Sequence, residues 1–306
     1  MKKETYLVVL AFFSIYVFWG STYLWNKIVV SEAPAFMLAS LRFTIAGALI
    51  FIIAAATGRS LKITQKQFLN SVLAGFLFLA YGNGVFVWAL NYVNSGFAAL
   101  LAALQPLSIL VMMRISQRKA LKPKSMIGVC LGLFGMYLLV SQRDIALQEG
   151  AVLGIVMIFT CIISWGIGSL FVAKADLPKN FFIATGYQMV TAGVLLALGS
   201  RFILQETWNT PLDWSSSAQI SMGCLILFGG IAAFTSFNYL LKKVSTEKVA
   251  TSAYVNPVIA LFLGWYFLEE IVTTQSIIAA GILLTGVYFI NTVRQKEGRK
   301  PTGKKA

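Results

Sequence analysis

The chain divides into ten apolar runs whose connecting segments sort by charge, a pattern that leaves little freedom in how it threads a bilayer. The runs cover residues 6–29, 35–57, 68–92, 96–113, 125–140, 150–173, 181–203, 217–241, 249–268 and 274–293. Most approach the ~20 residues needed to cross ~30 Å of hydrocarbon as a helix. The fifth is the shortest.

With the amino end placed in the cytoplasm, the inner segments hold 21 of the 25 Lys and Arg residues. These are Lys2, Lys3, Arg59, Lys62, Lys66, Arg114, Arg118, Lys119, Lys122, Lys124, Lys174, Lys179, Lys242, Lys243, Lys248 and six in the tail after Thr292. The outer segments hold only Arg143 and Arg201, while Lys27 and Arg42 fall within runs. Such asymmetry orients helices during insertion. The expected fold is therefore an all-α membrane protein of ten transmembrane helices, multi-pass in the cytoplasmic membrane, with both termini cytoplasmic.

Hydrophobic residues make up 58% of the chain and charged ones 12%, with no histidine, which suits lipid as the solvent. A net charge of +14 would suit nucleic acid if a folded basic domain carried it. Here the charge lies in short loops and a tail beside membrane ends, so anionic membrane lipids are the expected partners and nucleic acid is not. The first run is too long for the apolar part of a cleavable leader, and no small-x-small site closes it before Ser31. Cys130, Cys161 and Cys224 sit in separate runs, without disulfide or metal spacing.

The sequence also repeats itself. A shift of 151 residues lays 96–140 on 247–291, matching Pro106 to Pro257, Gln105 to Asn256, Ser125 to Ser276, Gly135 to Gly286 and Tyr137 to Tyr288. Upstream, a shift of 146 matches Trp19-Gly20 to Trp165-Gly166, Arg42 to Gln188, and Ala46-Gly47 to Ala192-Gly193. Five runs per unit is an odd number, so the second unit must enter the membrane from the opposite side. Residues 1–145 and 146–293 are thus expected to form two inverted five-helix repeats, followed by a basic cytoplasmic tail at 294–306. Inverted repeats that rock against one another expose a shared midplane cavity to each side in turn. The charges agree with inversion, since Arg118-Lys119 after the fourth run corresponds to Glu269-Glu270 after the ninth.

Trp19-Gly20-Ser21 with Lys27 in the first run, Leu41-Arg42-Phe43 in the second, the Pro106 and Pro257 segments, and Glu270 closing the ninth run together resemble the EamA family of the drug/metabolite transporter superfamily. The resemblance covers essentially the whole chain. It implies export or exchange of small metabolites, including amino acids and drug-like compounds, without specifying one. The first half has Lys119 where the second has Glu270, which weakens any role that needs paired carboxylates.

Arg42 lies about eight residues, or ~12 Å of helix, from the outer end of its run. A guanidinium at that depth costs several kcal/mol unless it meets water or acceptors, so it is either an anchor for a substrate carboxylate or other anion, or a structural tie to backbone carbonyls. Lys27 is near enough to the outer end for its stem to carry the ammonium to the interface; the other reading sets it on a cavity rim. Pro106 and Pro257, expected inside their spans, each free a carbonyl, and the adjacent Gln105 and Asn256 either satisfy that backbone or bind ligand. Asn83, Gln188 and Asn238 are interhelical ties or substrate contacts. Trp19, Trp165 and Tyr254, with Trp88 and Tyr81, either line a cavity or pack. Gly128 and Gly132 allow a close helix approach, within the bundle or in a homodimer.

No Walker glycine loop, soluble domain or histidine is present, so neither ATP hydrolysis nor a cofactor or metal is expected. Proton coupling would have only Glu269 and Glu270, at an external boundary, and a facilitator or exchanger is an equal reading. The leading expectation is a secondary transporter of small organic metabolites working by alternating access, not an enzyme. Two other classes fit the residues less well. An intramembrane enzyme acting on a lipid phosphate would need a deep general acid or base, which the runs lack. A membrane sensor or scaffold would need larger extramembrane segments.

Overall fold

Capping residues decide where the helices begin. Thr64 accepts a hydrogen bond from the Gln67 amide while the Gln67 side chain accepts from Thr64 N–H, a reciprocal box that starts the third helix three residues before its apolar run. Asn180 and Ser215 cap later helices singly, their side-chain oxygens accepting from the Phe182 and Ala218 amides.

The computed structural model describes residues 2–117, 123–141, 149–172, 174–244, 249 and 252–294. Arg118, Lys119, Lys122, Arg143, Lys248 and the tail from residue 295 lie outside the described residues. The described chain is helical, without strands: α1 Glu4–Val30, α2 Ala35–Ala56, α3 Gln65–Ala89, α4 Ser95–Ala102, α5 Gln105–Gln117, α6 Pro123–Val140, α7 Ala151–Val172, α8 Phe181–Ile203, α9 Ser216–Lys243, α10 Ser252–Leu268 and α11 Thr274–Arg294. Six of these, α1, α2, α3, α7, α8 and α9, are long and apolar enough to cross a membrane. Shorter apolar stretches occupy Ser95–Ile109, Met126–Gly135, Val255–Leu268 and Thr274–Gly286. Ile52, Val152, Phe262 and Tyr266 are among many large apolar side chains turned outward, a surface that only lipid would cover.

The most extensive helix pairings are α2 with α8 and α6 with α11. Glycines make both close. A Cβ on Gly47 would stand 2.6 Å from Val190 Cγ2, and one on Gly193 would stand 2.2 Å from Thr44 Oγ1. On the other pair, a Cβ on Gly286 would meet Gly128 O at 2.8 Å, and one on Gly135 would meet Leu283 Cγ at 2.9 Å. The backbone of Gly128 and Gly132 thus faces Gly286 of α11, while a Cβ on Gly132 would meet Leu107 Cδ2 of α5 at 3.2 Å.

Four helices widen to π geometry, at Ser14–Phe18 in α1, Phe76–Val85 in α3, Gly199–Ile203 in α8 and Leu225–Phe234 in α9. The stretches in α3 and α9 are equal in length and begin and end 149 residues apart (225 less 76, 234 less 85). Widened turns loosen the helical ladder and gather at functional positions. In α1 the loosened carbonyls have a partner: with its amide nitrogen turned toward them, Asn256 reaches Ile15 O at 3.1 Å and Tyr16 O at 3.0 Å.

The fourth run departs from expectation. Pro106 is not inside a continuous helix: α4 ends at Ala102, Ala103 and Leu104 form a turn, and α5 starts at Gln105. Proline fits the first turn of a helix, where its missing N–H has no intrahelical partner to lose. Pro257 does lie within α10.

Candidate binding cavity

The two ends of the bundle differ in their charged residues. Glu32, Glu206 and Glu270 stand at one, the carboxylate end; Lys62, Lys66, Lys174, Lys179, Lys242 and Lys243 stand at the other, the basic end. Lys27 and Arg201 share the carboxylate end, and Glu4 and Asp176 the basic end. A cavity of about 190 Å³ runs from mid-bundle, at Tyr23, Asn26 and Phe86, to Leu241, Val249 and Ser252 near the basic end.

Arg42, on α2, lines its deep part and is only 3% exposed. Its Nη1 donates to Asn26 Oδ1 and Asn83 Oδ1, both at 3.4 Å, beyond the usual 2.7–3.2 Å range of a good bond. Its Nε is buried without a partner. The Phe43 ring covers one face, with its centroid 4.8 Å from Cζ. No carboxylate lines the cavity among the described residues. The guanidinium comes close to α9 because Gly229 has no side chain: a Cβ there would lie 3.0 Å from Nη2 and 2.7 Å from Thr22 Cγ2.

An aromatic group adjoins it. Trp19 donates from Nε1 to Gly229 O at 3.3 Å and meets Trp165 edge to face at 5.9 Å. Phe237 lies 5.0 Å from the Trp19 ring and 5.9 Å from that of Trp165, with Phe234 stacked 6.0 Å beyond. Gly82, in the π stretch of α3, leaves the room for Trp165, since a Cβ would come within 2.5 Å of its Cδ1.

The cavity thus brings together Arg42, Trp19, Asn83, Gln105, Pro106, Trp165, Asn256 and Pro257 from the sequence expectation. It leaves others elsewhere. Lys27 is half-buried and donates to Leu90 O and, at 3.1 Å, to Val93 O, joining α1 to the end of α3 at the carboxylate end. Gln188 is fully buried outside the lining, its amide atoms without partners. Asn238 donates to Thr185 Oγ1 at 2.9 Å and ties α9 to α8. Tyr254 belongs to α10, and its side chain lies outside the described residues. Gly229, Phe234 and Phe237 were not anticipated; Gly229-Gly230 within an apolar run was the available signal.

Glu270, which with Glu269 is one of the two candidates for proton coupling, has both carboxylate oxygens on backbone amides. Its Oε1 accepts from Ser95 N at 2.9 Å and its Oε2 from Gly96 N at 3.2 Å, so it caps the start of α4 from across the bundle. Glu206 does the same for α2, taking Phe36 N at 3.0 Å and Met37 N at 2.9 Å while Ser200 Oγ donates to it at 2.7 Å. Glu32 accepts from Ser215 N at 2.7 Å and Ser215 Oγ at 2.6 Å, ahead of α9, and these bonds hold its carboxyl below the ordinary range. Each anion faces the free N–H groups and positive dipole end of a helix. Two of them share one turn. Gln205 and Glu269 adopt left-handed φ of 51° and 53°, and the next residues, Glu206 and Glu270, donate back to Ser200 O and Gly264 O. Helices commonly stop in this way, though with glycine at the left-handed position.

A family model for EamA-like transporters matches residues 6–141 and again 152–292. The chain belongs to the EamA-like transporter family. It is a multi-pass membrane protein. Among curated relatives, an Escherichia coli K12 protein described as the uncharacterized inner membrane transporter YedA is 32% identical over 292 residues, 95% of this chain and 92% of the relative. The Bacillus subtilis transporter YoaV is 25% identical, over 93% of this chain and 96% of its own. A Chlamydia trachomatis protein named as an S-adenosylmethionine/S-adenosylhomocysteine transporter is 23% identical, over 95% and 90%. One solved crystal structure superposes with a TM-score of 0.68 at 19% identity, covering 96% of this chain and 99% of that one, a likeness of fold alone.

Proposed function

We propose that this EamA-family protein is a secondary transporter of small organic metabolites in the cytoplasmic membrane, an exporter or exchanger that works by alternating access. In this reading ten spans form two inverted five-helix repeats, residues 1–145 and 146–293, with α4 and α5 as two halves of one span and both termini cytoplasmic. The 21 basic residues of the expected inner segments against two in the outer ones support that orientation. The matched π stretches of α3 and α9 and the pairing of α2 with its repeat counterpart α8, and of α6 with α11, support the duplication.

The observation that carries the function is the cavity itself: a buried, loosely held arginine among apolar helices, in a cavity whose lining extends to Leu241, Val249 and Ser252 and which we read as open at the basic end and closed at the carboxylate end. Under the proposed orientation this is an inward-facing state. Glu270, with both oxygens taken by backbone amides, reads as a closing contact better than as a proton carrier. The substrate's own gradient is then sufficient to drive flux. A relative named for adenosyl amino-acid cargo is in keeping with metabolites of that general size.

Counterflow into proteoliposomes of panels of amino acids, organic acids, nucleosides and cationic drugs tests the proposal, with Arg42→Ala alongside. Accumulation of at least one compound, reduced tenfold or more in the variant, is the expected result. No flux of any class, or undiminished flux in Arg42→Ala, contradicts it.

A further inference from the structure

The charge of the cavity is one-sided, and its two chemical features meet at a single residue. Arg42 offers five N–H donors, and only two long contacts to amide oxygens are made among the described residues. Glu32, Glu206 and Glu270 are held by backbone amides at the carboxylate end, and Glu4 is paired with Lys243 at the basic end, so none of them reaches the lining. A buried cation with no anion beside it among the described residues is a group to which an incoming carboxylate adds charge-assisted, forked hydrogen bonds. Gly229 then fixes the distance to the rest of the ligand. Its carbonyl accepts the Trp19 indole N–H while its Cα faces the Arg42 guanidinium. An anion on Arg42 therefore has the Trp19, Trp165 and Phe237 rings within a short aliphatic tether.

Resting on the transporter reading above, we propose that the cavity selects organic monoanions bearing an aromatic ring close to the carboxylate. A zwitterion of the same shape brings an ammonium that only neutral amide oxygens receive, and it binds more weakly. An amine without the carboxylate sets two cations in one apolar cavity and is rejected. The aromatic walls accept many ring types because stacking and edge contacts discriminate little between them.

Three probes of one shape separate the charge states: 3-phenylpropionate, phenylalanine and phenethylamine, titrated calorimetrically into the purified full-length protein and then followed by counterflow in proteoliposomes. The expected order is carboxylate, zwitterion, amine, with roughly tenfold between neighbours and about 100-fold or more overall, the scale of leaving a buried charge unpaired. Arg42→Gln abolishes the preference. Arg42→Lys, which keeps the charge without the fork, weakens carboxylate binding and preserves the order, and it serves as the test if Arg42→Gln does not fold. An amine that binds as well as the carboxylate, an order unchanged in Arg42→Gln or reversed in Arg42→Lys, or no binding by any probe overturns the proposal. Ordered binding without flux leaves the anion site standing and removes the transport reading instead.

Discussion

The two ends of the bundle are held in different ways. At the carboxylate end, three glutamates reach over 169 or more residues of sequence to seize the amides that open α2, α4 and α9. Lys27 binds the carbonyls that close α3. At the basic end the ties run along the outside: Tyr187 Oη donates to Leu61 O, Gln67 and Asn70 hold Asp176, and Lys243 meets Glu4 at the surface. None of those contacts involves Leu241, Val249 or Ser252, which line the cavity near that end. Among the described residues, one end is held by charge against backbone and the other by ties at its periphery, an inequality that the proposed alternating access would use.

Breaking the locks one at a time sharpens the contrast. The largest effect is expected from Glu206→Ala, which strips three hydrogen bonds and leaves the first turn of α2 uncapped; a loss of about 3 kcal/mol, read as a fall of roughly 5 °C or more in apparent melting temperature, follows from the usual worth of such bonds. Glu270→Gln keeps the shape and removes the charge. It should cost about 1.4 kcal/mol of closure, a tenfold rise in labelling of a cavity cysteine from the carboxylate side.

Glu269→Gly tests the turn that aims Glu270. Relieving a left-handed non-glycine residue is worth up to ~1 kcal/mol, so stability should increase; a decrease would show that the Glu269 side chain has a role of its own. For Glu32 the effect depends on pH. Its carboxyl is depressed below the ordinary 4.5, so the clamp stabilises the fold above that pH and is lost as pH falls through the lower folded value. The thermal advantage of the native protein over Glu32→Gln should therefore vanish in acid, and an advantage that persists there would remove the clamp from the account. Glu4→Gln should change neither stability nor access, because an exposed ion pair adds little.

Much of the architecture was legible in the sequence because lipid demands it. Long apolar runs set the helices, and the glycines that the sequence shift matches, Gly47 with Gly193 and Gly135 with Gly286, sit where α2 meets α8 and α6 meets α11. Arg42 was legible too, since a deep guanidinium stands out in any apolar run. Boundaries were harder: the Thr64 and Gln67 box lies in polar sequence before its run, and Pro106 looks like an internal kink until the turn at Ala103 and Leu104 is seen. The clamps were not legible. Glu206 is one acidic residue in a polar loop, and its partners are main-chain amides 169 and 170 residues away, which carry no side-chain signature. Gln188 stands out in the sequence by its depth in a span, yet it lies outside the cavity lining, because periodicity does not say which side of the helix meets a cavity.

The most direct test labels a single cysteine at Ala102→Cys, in a background without the three native cysteines, using a membrane-impermeant maleimide. Ala102 lines the cavity. With no substrate present, labelling in inside-out vesicles and its near absence in right-side-out ones is the predicted result. Labelling only from the outer face, or from both faces equally, would contradict a cavity open at the basic end and locked at the carboxylate end.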